Sequence, residues 1–472
     1  MDAPHPRPTL SQATWAIIAT SVAATLAGLA ALYFVYADRA GETMVAWLSG
    51  RTTWLGVTFE GPWTVILPAA GVAVTMPVIV WTQRRFFPGT EGTGIPQAIA
   101  AIELGDRPER RLMLSFRIAI GKMLLLTLAL VSGITVGREG PSVHVAACCM
   151  HLSARFCKVE RWLIQRGLIL AGSAAGIAAA FNTPVAGVVF CFEEVGRTFD
   201  KKSVPAIIRT VAIACAIGVA VLGDYRFYGS SNADAALPLA IETDLRTWLL
   251  EMRQWFAIPV AGVIGGFLGG WFGRGVVAGS RRIAPSLVSH PWRTGIALGL
   301  ALAVIGILSN GSSYGGGHSQ AERMLETAAE TGVPIAGWTD PIAKAAASFV
   351  SLISAIPGGL FDPSLAVGAG LGQVTHGFLE ATIAPGIGLP ELMLIFMAAY
   401  FAGVVQSPIT VFTILFEMTG AYGMLLPLMF AAMIGAIIAG RICEPSIYEA
   451  LAKSFLEAKG ITPSGTKPAA DP

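Results

Sequence analysis

Long runs of apolar residues, separated by short polar segments, occupy most of the chain. Eight such runs can be read along the sequence: 14–36, 64–81, 116–136, 168–192, 204–222, 256–275, 293–309 and 392–440. A helix that crosses a bilayer needs roughly 20 predominantly apolar residues. The pattern therefore predicts an all-α polytopic membrane protein, an integral protein with several membrane passes.

The composition supports this class and disfavours others. Hydrophobic residues make up 54% of the 472 residues and charged residues 13%, whereas soluble domains carry about 25% charged residues. The formal net charge of +2 provides no basic field, so no nucleic-acid partner is expected. Clusters such as Arg84–Arg85 and Arg281–Arg282 are typical of cytoplasmic loops, but uncertain segment boundaries leave the membrane orientation open.

Neither the cysteines nor the histidines have the spacing of a metal site. The six cysteines form no C-x-x-C pair, and His144 and His151 lie two helical turns apart, too far for a chelating pair. We expect no metal, no disulfide framework and no cofactor.

Two pairs of segments repeat along the chain. "FNTPVAGVVFCFEEV" (181–195) resembles "VQSPITVFTILFEMT" (405–419), with Pro184 and Pro408 224 residues apart. "GREGPSVHVAA" pairs with "GLFDPSLAVGA" through Pro141 and Pro363, which are 222 residues apart. Two blocks with nearly one offset predict two structural halves, as in many transporters. The repeat alone leaves open whether the halves are parallel or inverted.

The polar segments divide the chain around these halves. We expect a first transmembrane repeat at 13–222, a connecting segment at 223–250 and a second repeat at 251–456, with disordered ends at 1–12 and 457–472. A second polar break at 309–342 contains "SNGSSYGGGHSQ", which lacks the lysine of a phosphate loop. This glycine run is predicted to be a flexible connection.

Three short stretches combine glycine and proline immediately before apolar runs: "GTGIP" (92–96), "GREGP" (137–141) and "GGLFDP" (358–363). Glycine allows a sharp bend and proline suits a first helical turn, so each stretch predicts a helix that begins after an unwound segment. Helix N-termini expose unpaired N–H groups that attract anions. Three such termini directed at one point would form an anion site inside the membrane. Packing kinks are the alternative for any single stretch.

Glu139 lies in the second stretch, beside Arg138. A charged side chain at the bilayer centre costs roughly 2.5–3.5 kcal/mol on insertion scales, so it normally faces a pathway or a partner. Next to an anion site, the Glu139 carboxylate could occupy the anion's position and leave when protonated. An ion pair with Arg138 is the alternative. Lys122, within an otherwise apolar helix, either raises the local positive potential or extends to a membrane interface.

These stretches, in this order and together with a late tyrosine in "EPSIYEAL" (444–451), resemble the CLC family of chloride channels and chloride/proton antiporters. The resemblance extends from about residue 15 to 455, and is closest to the prokaryotic type without cytosolic CBS domains. It implies a homodimer in the lipid bilayer of a bacterial inner membrane. Each subunit would have its own anion path between two inverted halves, whose broken helices meet at a mid-membrane anion site.

The resemblance also implies residue roles. Thr93, with Gly94 and Ile95, stands where the family usually has a serine whose hydroxyl meets the anion. Leu360 and Phe361 would offer backbone N–H groups and Tyr448 its hydroxyl. Glu139 would be the gate, and Glu194 would pass protons from the inner side. Supporting positions are Arg138, Gly140, Pro141 and Lys122.

The repeat separates Glu193 from its neighbour Glu194. Glu193 aligns with Glu417, which indicates a structural role such as capping a helix, whereas Glu194 aligns with Met418 and is the better functional candidate. Asp362, at a helix N-terminus, favours that helix and is predicted to cap it.

The resemblance implies transport of chloride, with chloride/proton antiport favoured because Glu194 is retained. A passive chloride channel gated by voltage or pH is the alternative. Thr93 in place of serine leaves another anion, fluoride or nitrate, open. No enzymatic activity is expected: an intramembrane hydrolase is disfavoured because the sequence lacks H-E-x-x-H and G-x-S-x-G.

Overall fold

The computed structural model describes residues 10–105, 107–156, 162–223, 226–229, 236–237 and 252–461. These residues contain seventeen α-helices. The first half contributes α1 (Leu10–Leu48), α2 (Trp63–Phe86), α3 (Ile95–Glu103), α4 (Phe116–Val131), α5 (Glu139–Phe156), α6 (Trp162–Phe181), α7 (Pro184–Phe190) and α8 (Val204–Leu222). The second half contributes α9 (Ala257–Ser289), α10 (Pro291–Leu308), α11 (His318–Thr331), α12 (Thr339–Ile353), α13 (Phe361–Thr382), α14 (Leu389–Val405), α15 (Pro408–Thr419), α16 (Leu425–Gly440) and α17 (Ile447–Ala458).

Seven of the described helical segments are long and apolar enough to cross a membrane. The short apolar helices α14 and α15 lie among them. The predicted all-α polytopic architecture is confirmed, and the chain is a multi-pass integral membrane protein.

The ends of the folded region differ slightly from the prediction. Helix α1 already begins at Leu10 and α17 continues to Ala458, so a few residues predicted to be disordered are helical. The remaining parts of the predicted disordered ends, 1–9 and 462–472, lie outside the described residues. So does most of the connecting segment 223–250, although Tyr228 within it is fully buried.

Two of the long apolar runs are broken helices rather than single spans. In the first run, α6 is followed by Asn182 in the left-handed conformation (φ 55°), and α7 then begins at Pro184. In the second run, α14 is followed by Gln406 in the same conformation (φ 62°), and α15 begins at Pro408. Hydrophobicity alone does not reveal such breaks, because the residues on both sides of the break are equally apolar.

Reciprocal contacts relate the two halves. Gly137 and Gly359 form an antiparallel bridge in which each N–H donates to the other's carbonyl, at 2.9 and 2.6 Å. The Glu193 carboxylate accepts the N–H groups that begin α15, at 3.1 and 2.6 Å. Glu417 accepts those that begin α7, at 3.1 and 2.7 Å. Exchanged contacts between equivalent positions are the signature of a two-fold relation, so the two halves and the capping role of Glu193 are confirmed.

A second pair of equivalent residues is Lys122 and Lys344, which are also 222 residues apart. Both are buried, and each ammonium group donates to carbonyls of the turn that precedes a helix. Lys122 donates to the carbonyls of Thr90 and Gly92, at 2.9 and 2.7 Å. Lys344 donates at 3.1–3.2 Å to the carbonyls of Ser313, Tyr314 and Gly315.

The glycine run before α11 is therefore not the flexible connection that the sequence predicted. Besides the Lys344 contacts, the Thr135 hydroxyl donates to the Ser313 carbonyl at 2.6 Å and the Gly315 N–H to the Gly133 carbonyl at 2.9 Å. Helix α11 follows directly, within the predicted break. This run is the second-half equivalent of the "GTGIP" turn and is fixed by buried hydrogen bonds.

The exchanged caps lead to a stability prediction. Glu193→Ala and Glu417→Ala should each destabilise the protein by about 1–3 kcal/mol, because each leaves two helix N–H groups without their charged acceptor. Thermal unfolding in detergent should show a similar fall in Tm for both variants. Glu330→Ala, at an exposed site on α11, is the control and should leave Tm nearly unchanged. A normal Tm in either cap variant would contradict the reciprocal arrangement.

Candidate functional site

The three glycine-proline stretches meet in space. Besides the bridge between Gly137 and Gly359, the Gly92 N–H donates to the Ala355 carbonyl at 2.8 Å. Gly140 lies against Thr93, so closely that a Cβ on this glycine would be 2.9 Å from the Thr93 Cβ. The predicted convergence of the half-helices that begin α3, α5 and α13 is therefore present.

Gly94 allows the close crossing of α3 and α5. It adopts φ 103°, and a Cβ there would lie 2.4 Å from the Cβ of His144. Any other residue would meet both backbone strain and a clash. The turn that carries Thr93 can therefore lie directly on the first turn of α5, where Gly140 and Pro141 are buried.

Two buried hydroxyl groups at this convergence have no hydrogen-bond partner: Thr93 Oγ1 and the Tyr448 hydroxyl. The Tyr448 ring packs 6.4 Å from that of Phe361, at the start of α13. The first turns of α3 and α13, including Ile95 and Phe361, have N–H groups without intrahelical acceptors. A buried donor without an acceptor costs about 1–3 kcal/mol. This set of donors suits a small anion.

Glu139 is fully buried beside these donors. Its Oε2 lies against Gly137 and Gly359, where an added Cβ would come within 2.4 and 2.0 Å of it. Neither carboxylate oxygen has a hydrogen-bond partner. The carboxyl group is thus positioned next to the helix N-termini without being fixed by them.

The alternative interpretation, an ion pair between Glu139 and its neighbour Arg138, is wrong. The Arg138 guanidinium pairs instead with Asp38 of α1 at 3.3 Å and lies over the Phe227 ring at 5.4 Å. Adjacent residues at a helix start project in different directions, so Arg138 can contact α1 while Glu139 faces the convergence.

Lys122 does not extend to a membrane interface, so that alternative is also wrong. Its side chain is 0% exposed and is bonded to the turn just before Thr93. The Lys122 side chain thus supports the turn from behind, and the interpretation that it raises the local positive potential stays a prediction.

Glu194 lies in a single π-helical turn, Cys191–Gly196, that follows α7. Its Oε2 accepts a hydrogen bond from the Ser407 hydroxyl, while its Oε1 has no partner. Glu194 also lines a cavity of about 520 Å³, whose wall includes Arg197, Glu449 and Lys453. This buried carboxyl therefore has access to an opening lined by charged side chains.

Glu449 remains ionised at the mouth of that opening. Burial acts to raise the pKa of this carboxyl, but hydrogen bonds from Lys453 and Arg197, both 2.6 Å long, hold the pKa below its ordinary value. The opening thus contains a fixed network of three charged groups close to Glu194.

A second cavity, of about 590 Å³, lies next to the convergence. Thr93 and Leu360 are among the residues that line it, and its charged lining residues are Arg84, Arg281 and Lys459 together with Glu91 and Glu457. Basic side chains along a cavity raise the local concentration of anions. The cavity offers an anion a route to Thr93.

Asp362 does not cap α13, so the predicted role is wrong. It is the second residue of that helix and is 0% exposed, but neither of its carboxyl oxygens has a hydrogen-bond partner. The side chain therefore accepts no hydrogen bond from the N–H groups of its own helix.

Sequence reasoning missed several residues of this region: Asp38, Tyr228, Lys344 and Ser407. Three of them carried a signal. Lys344 is separated from Lys122 by the repeat offset, and Ser407 is the repeat partner of Thr183. Asp38 is an isolated acid near the end of an apolar run, which marked it as in need of a partner.

Comparison with known proteins places the chain. The family model for the voltage gated chloride channel matches residues 72–440. The chain belongs to the CLC family. It is 28% identical over 436 residues to the H⁺/Cl⁻ exchange transporter ClcA of Vibrio cholerae, covering 90% of this chain and 86% of that protein.

Other relatives of this CLC protein carry other descriptions. It is 27% identical over 439 residues to the voltage-gated ClC-type chloride channel ClcB of Escherichia coli, covering 90% of this chain and 96% of that protein. The crystal structure of a slow cyanobacterial Cl⁻/H⁺ antiporter matches with a TM-score of 0.73 at 23% identity, covering 97% of this chain and 100% of that one. This structural match shows the fold.

The unpaired hydroxyls lead to a binding prediction for this CLC protein. Thr93→Val and Tyr448→Phe should each raise the Kd for chloride about tenfold or more, because a hydrogen bond to a charged group is worth about 1.5–3 kcal/mol. Isothermal titration of purified protein measures this. Tyr422→Phe, at a tyrosine that is 68% exposed, should bind chloride as the wild type does. Unchanged affinity in both site variants would place the anion elsewhere.

Proposed function

We infer that this CLC protein exchanges chloride for protons across the inner membrane of a bacterium. The observation that carries the proposal is the presence of two buried carboxyls on either side of Tyr448: Glu139 lies against Gly359 at the helix N-termini, and Glu194 lines the cavity that Glu449, the residue after Tyr448, also lines. An exchanger needs a proton acceptor on each side of its anion site, and this arrangement supplies both. The name of the Vibrio relative, an H⁺/Cl⁻ exchange transporter, agrees with it.

Chloride binds where the unpaired donors converge. The hydroxyls of Thr93 and Tyr448 and the first N–H groups of α3 and α13, at Gly94, Ile95, Leu360 and Phe361, surround it. These dipoles stabilise an anion without a full positive charge, so the ion is not held too tightly to leave. Lys122 supports the turn that carries Thr93, and Gly140 and Pro141 shape the opposing helix start.

Glu139 is the gate. As a carboxylate it competes with chloride for the same N–H groups, and once protonated it loses that attraction and swings out. Arg138, held by Asp38, fixes the start of α5 from which Glu139 projects. Glu194 takes up or releases protons through the opening that it lines, because one of its oxygens is held by Ser407 and the other is free to bind a proton.

A passive chloride channel is the second candidate, because the Escherichia relative is described as a voltage-gated chloride channel. Glu194 favours exchange, since a passive anion pore has no need of a second buried carboxyl open to water. The additional methyl group of Thr93 leaves fluoride or nitrate as an alternative ion. Each subunit of a homodimer would contain its own anion path. The proposed activity is transport alone, without chemical conversion of the ion.

The proposal leads to a coupling prediction. Glu139→Gln mimics the protonated gate permanently, so chloride flux should continue while chloride-driven proton movement falls to background. Liposomes in which chloride and proton fluxes are recorded together measure both. Glu330→Gln, on the surface, should retain full coupling.

Two results would contradict the proposal. If liposomes with Glu139→Gln still moved protons against their gradient on addition of chloride, Glu139 would not be the gate. If the wild-type reversal potential ignored an imposed pH gradient, the protein would be a channel.

A further inference from the structure

Arg197 joins two elements on which the proposed exchange depends. It follows directly after the π-helical turn that carries Glu194, and its guanidinium reaches the first turn of α17, which carries Tyr448. One guanidinium nitrogen donates to the Glu449 carboxylate at 2.6 Å, and the other donates to the Ser446 hydroxyl at 3.4 Å. The side chain therefore crosses from the first half of the chain to the second.

The backbone of Arg197 has an uncommon conformation. Its φ is 52°, in the left-handed region that residues other than glycine rarely occupy. Such a conformation persists where surrounding contacts hold it. Arg166 of α6 supplies one contact, because its guanidinium donates to the Gly196 carbonyl at 3.0 Å. The bond to Glu449 supplies another. The reversal of the chain after the π-helical turn thus directs the Arg197 side chain toward α17.

The start of α17 has the sequence of a capping box, "SIYE" (446–449). In that motif, a serine at the N-cap and a glutamate three residues later bond the free N–H groups at the start of their own helix. In the described structure the Ser446 hydroxyl makes no such cap bond. The two Glu449 oxygens are bonded to Arg197 and Lys453, each at 2.6 Å. Arg197 therefore holds the two side chains that would otherwise cap α17.

The break between α14 and α15 links the same two elements from the buried side. The Ser407 hydroxyl donates to the Glu194 carboxylate. The neighbouring Gln406 side chain donates at 2.7 Å to the carbonyl of Cys443, which lies shortly before α17. The turn of Glu194 and the start of α17 are thus connected through the break, and Arg197 adds a direct bond between them.

We propose that Arg197 is a positioning residue of the exchange, which binds the first turn of α17 to the turn of Glu194 so that Tyr448 and Glu194 move together. The inference rests on the function proposed above. The side chains of Arg197 and Glu449 are 38% and 23% exposed, so water can replace either partner. On release, Ser446 and Glu449 are free to cap α17 themselves. The first turn of α17 then has a second stable arrangement, independent of the Glu194 turn.

The test is the number of protons moved per chloride in liposomes in which both fluxes are recorded. Arg197→Gln breaks the ion pair, so Tyr448 can leave the anion site while Glu194 stays in place, and chloride passes without its proton. The ratio of proton flux to chloride flux should fall about two- to fivefold, the range that a partly exposed ion pair supports. Chloride flux should continue.

A double-mutant cycle assigns the effect to the ion pair. Glu449→Gln should lower the ratio as Arg197→Gln does, and the double variant should lower it no further, because all three lack the same interaction. Arg323→Gln is the control, since Arg323 is an exposed arginine that donates to a carbonyl of its own helix, α11, at 3.1 Å. Its flux ratio should be that of the wild type. If Arg197→Gln does not fold, Glu449→Gln removes the same ion pair from the other side.

Three results would overturn the inference while leaving the proposed function intact. The first is a wild-type flux ratio in both single variants. The second is a fall in the double variant equal to the product of the two single falls, because the two residues would then act independently. The third is an equal loss of both fluxes at a constant ratio, which indicates a purely structural role. A wild-type protein that moves no protons with chloride would instead refute the proposed function, and this inference with it.

Discussion

Inside a membrane, the backbone N–H and C=O groups of a non-helical segment must form hydrogen bonds within the protein, since lipid offers no hydrogen-bond partners. The mutual hydrogen bonds of Gly137 and Gly359 meet this requirement where the unwound segments before α5 and α13 cross. The same bridge fixes the distance between the first turns of α5 and α13. The bridge therefore determines the geometry of the site, because the N–H donors of both helices lie in these first turns.

The buried charges divide into two groups with different roles. Lys122, Lys344 and Glu193 are bonded to backbone groups, and Arg138 is paired with Asp38. No carboxyl oxygen of Glu139 or Asp362 has a hydrogen-bond partner, and Glu194 has one free oxygen. A buried charge with fixed partners holds a structure, whereas one without them is able to bind a proton or compete with an ion.

Much of the fold and of the site could be predicted from the sequence, because the internal repeats and the glycine and proline residues that mark helix starts can be recognised in it. Pro184 and Pro408 marked equivalent helix starts, and the alignment of Glu193 with Glu417 indicated their shared capping role. Other features depend on side-chain direction, which spacing does not determine. Asp362 has the residue type and helix position of a cap but accepts no hydrogen bond from its helix, and the glycine run before α11 is held by hydrogen bonds from Lys344 and Thr135 and to Gly133.

The central claim is that donors from separate half-helices converge on one anion. Anomalous diffraction from crystals soaked in bromide tests it most directly, since bromide can replace chloride and is located by its own signal. The account predicts one peak within hydrogen-bond distance of Thr93 Oγ1, the Tyr448 hydroxyl and the N–H groups of Leu360 and Phe361. Ordered bromide elsewhere in the membrane region, with no density among these donors, would contradict it.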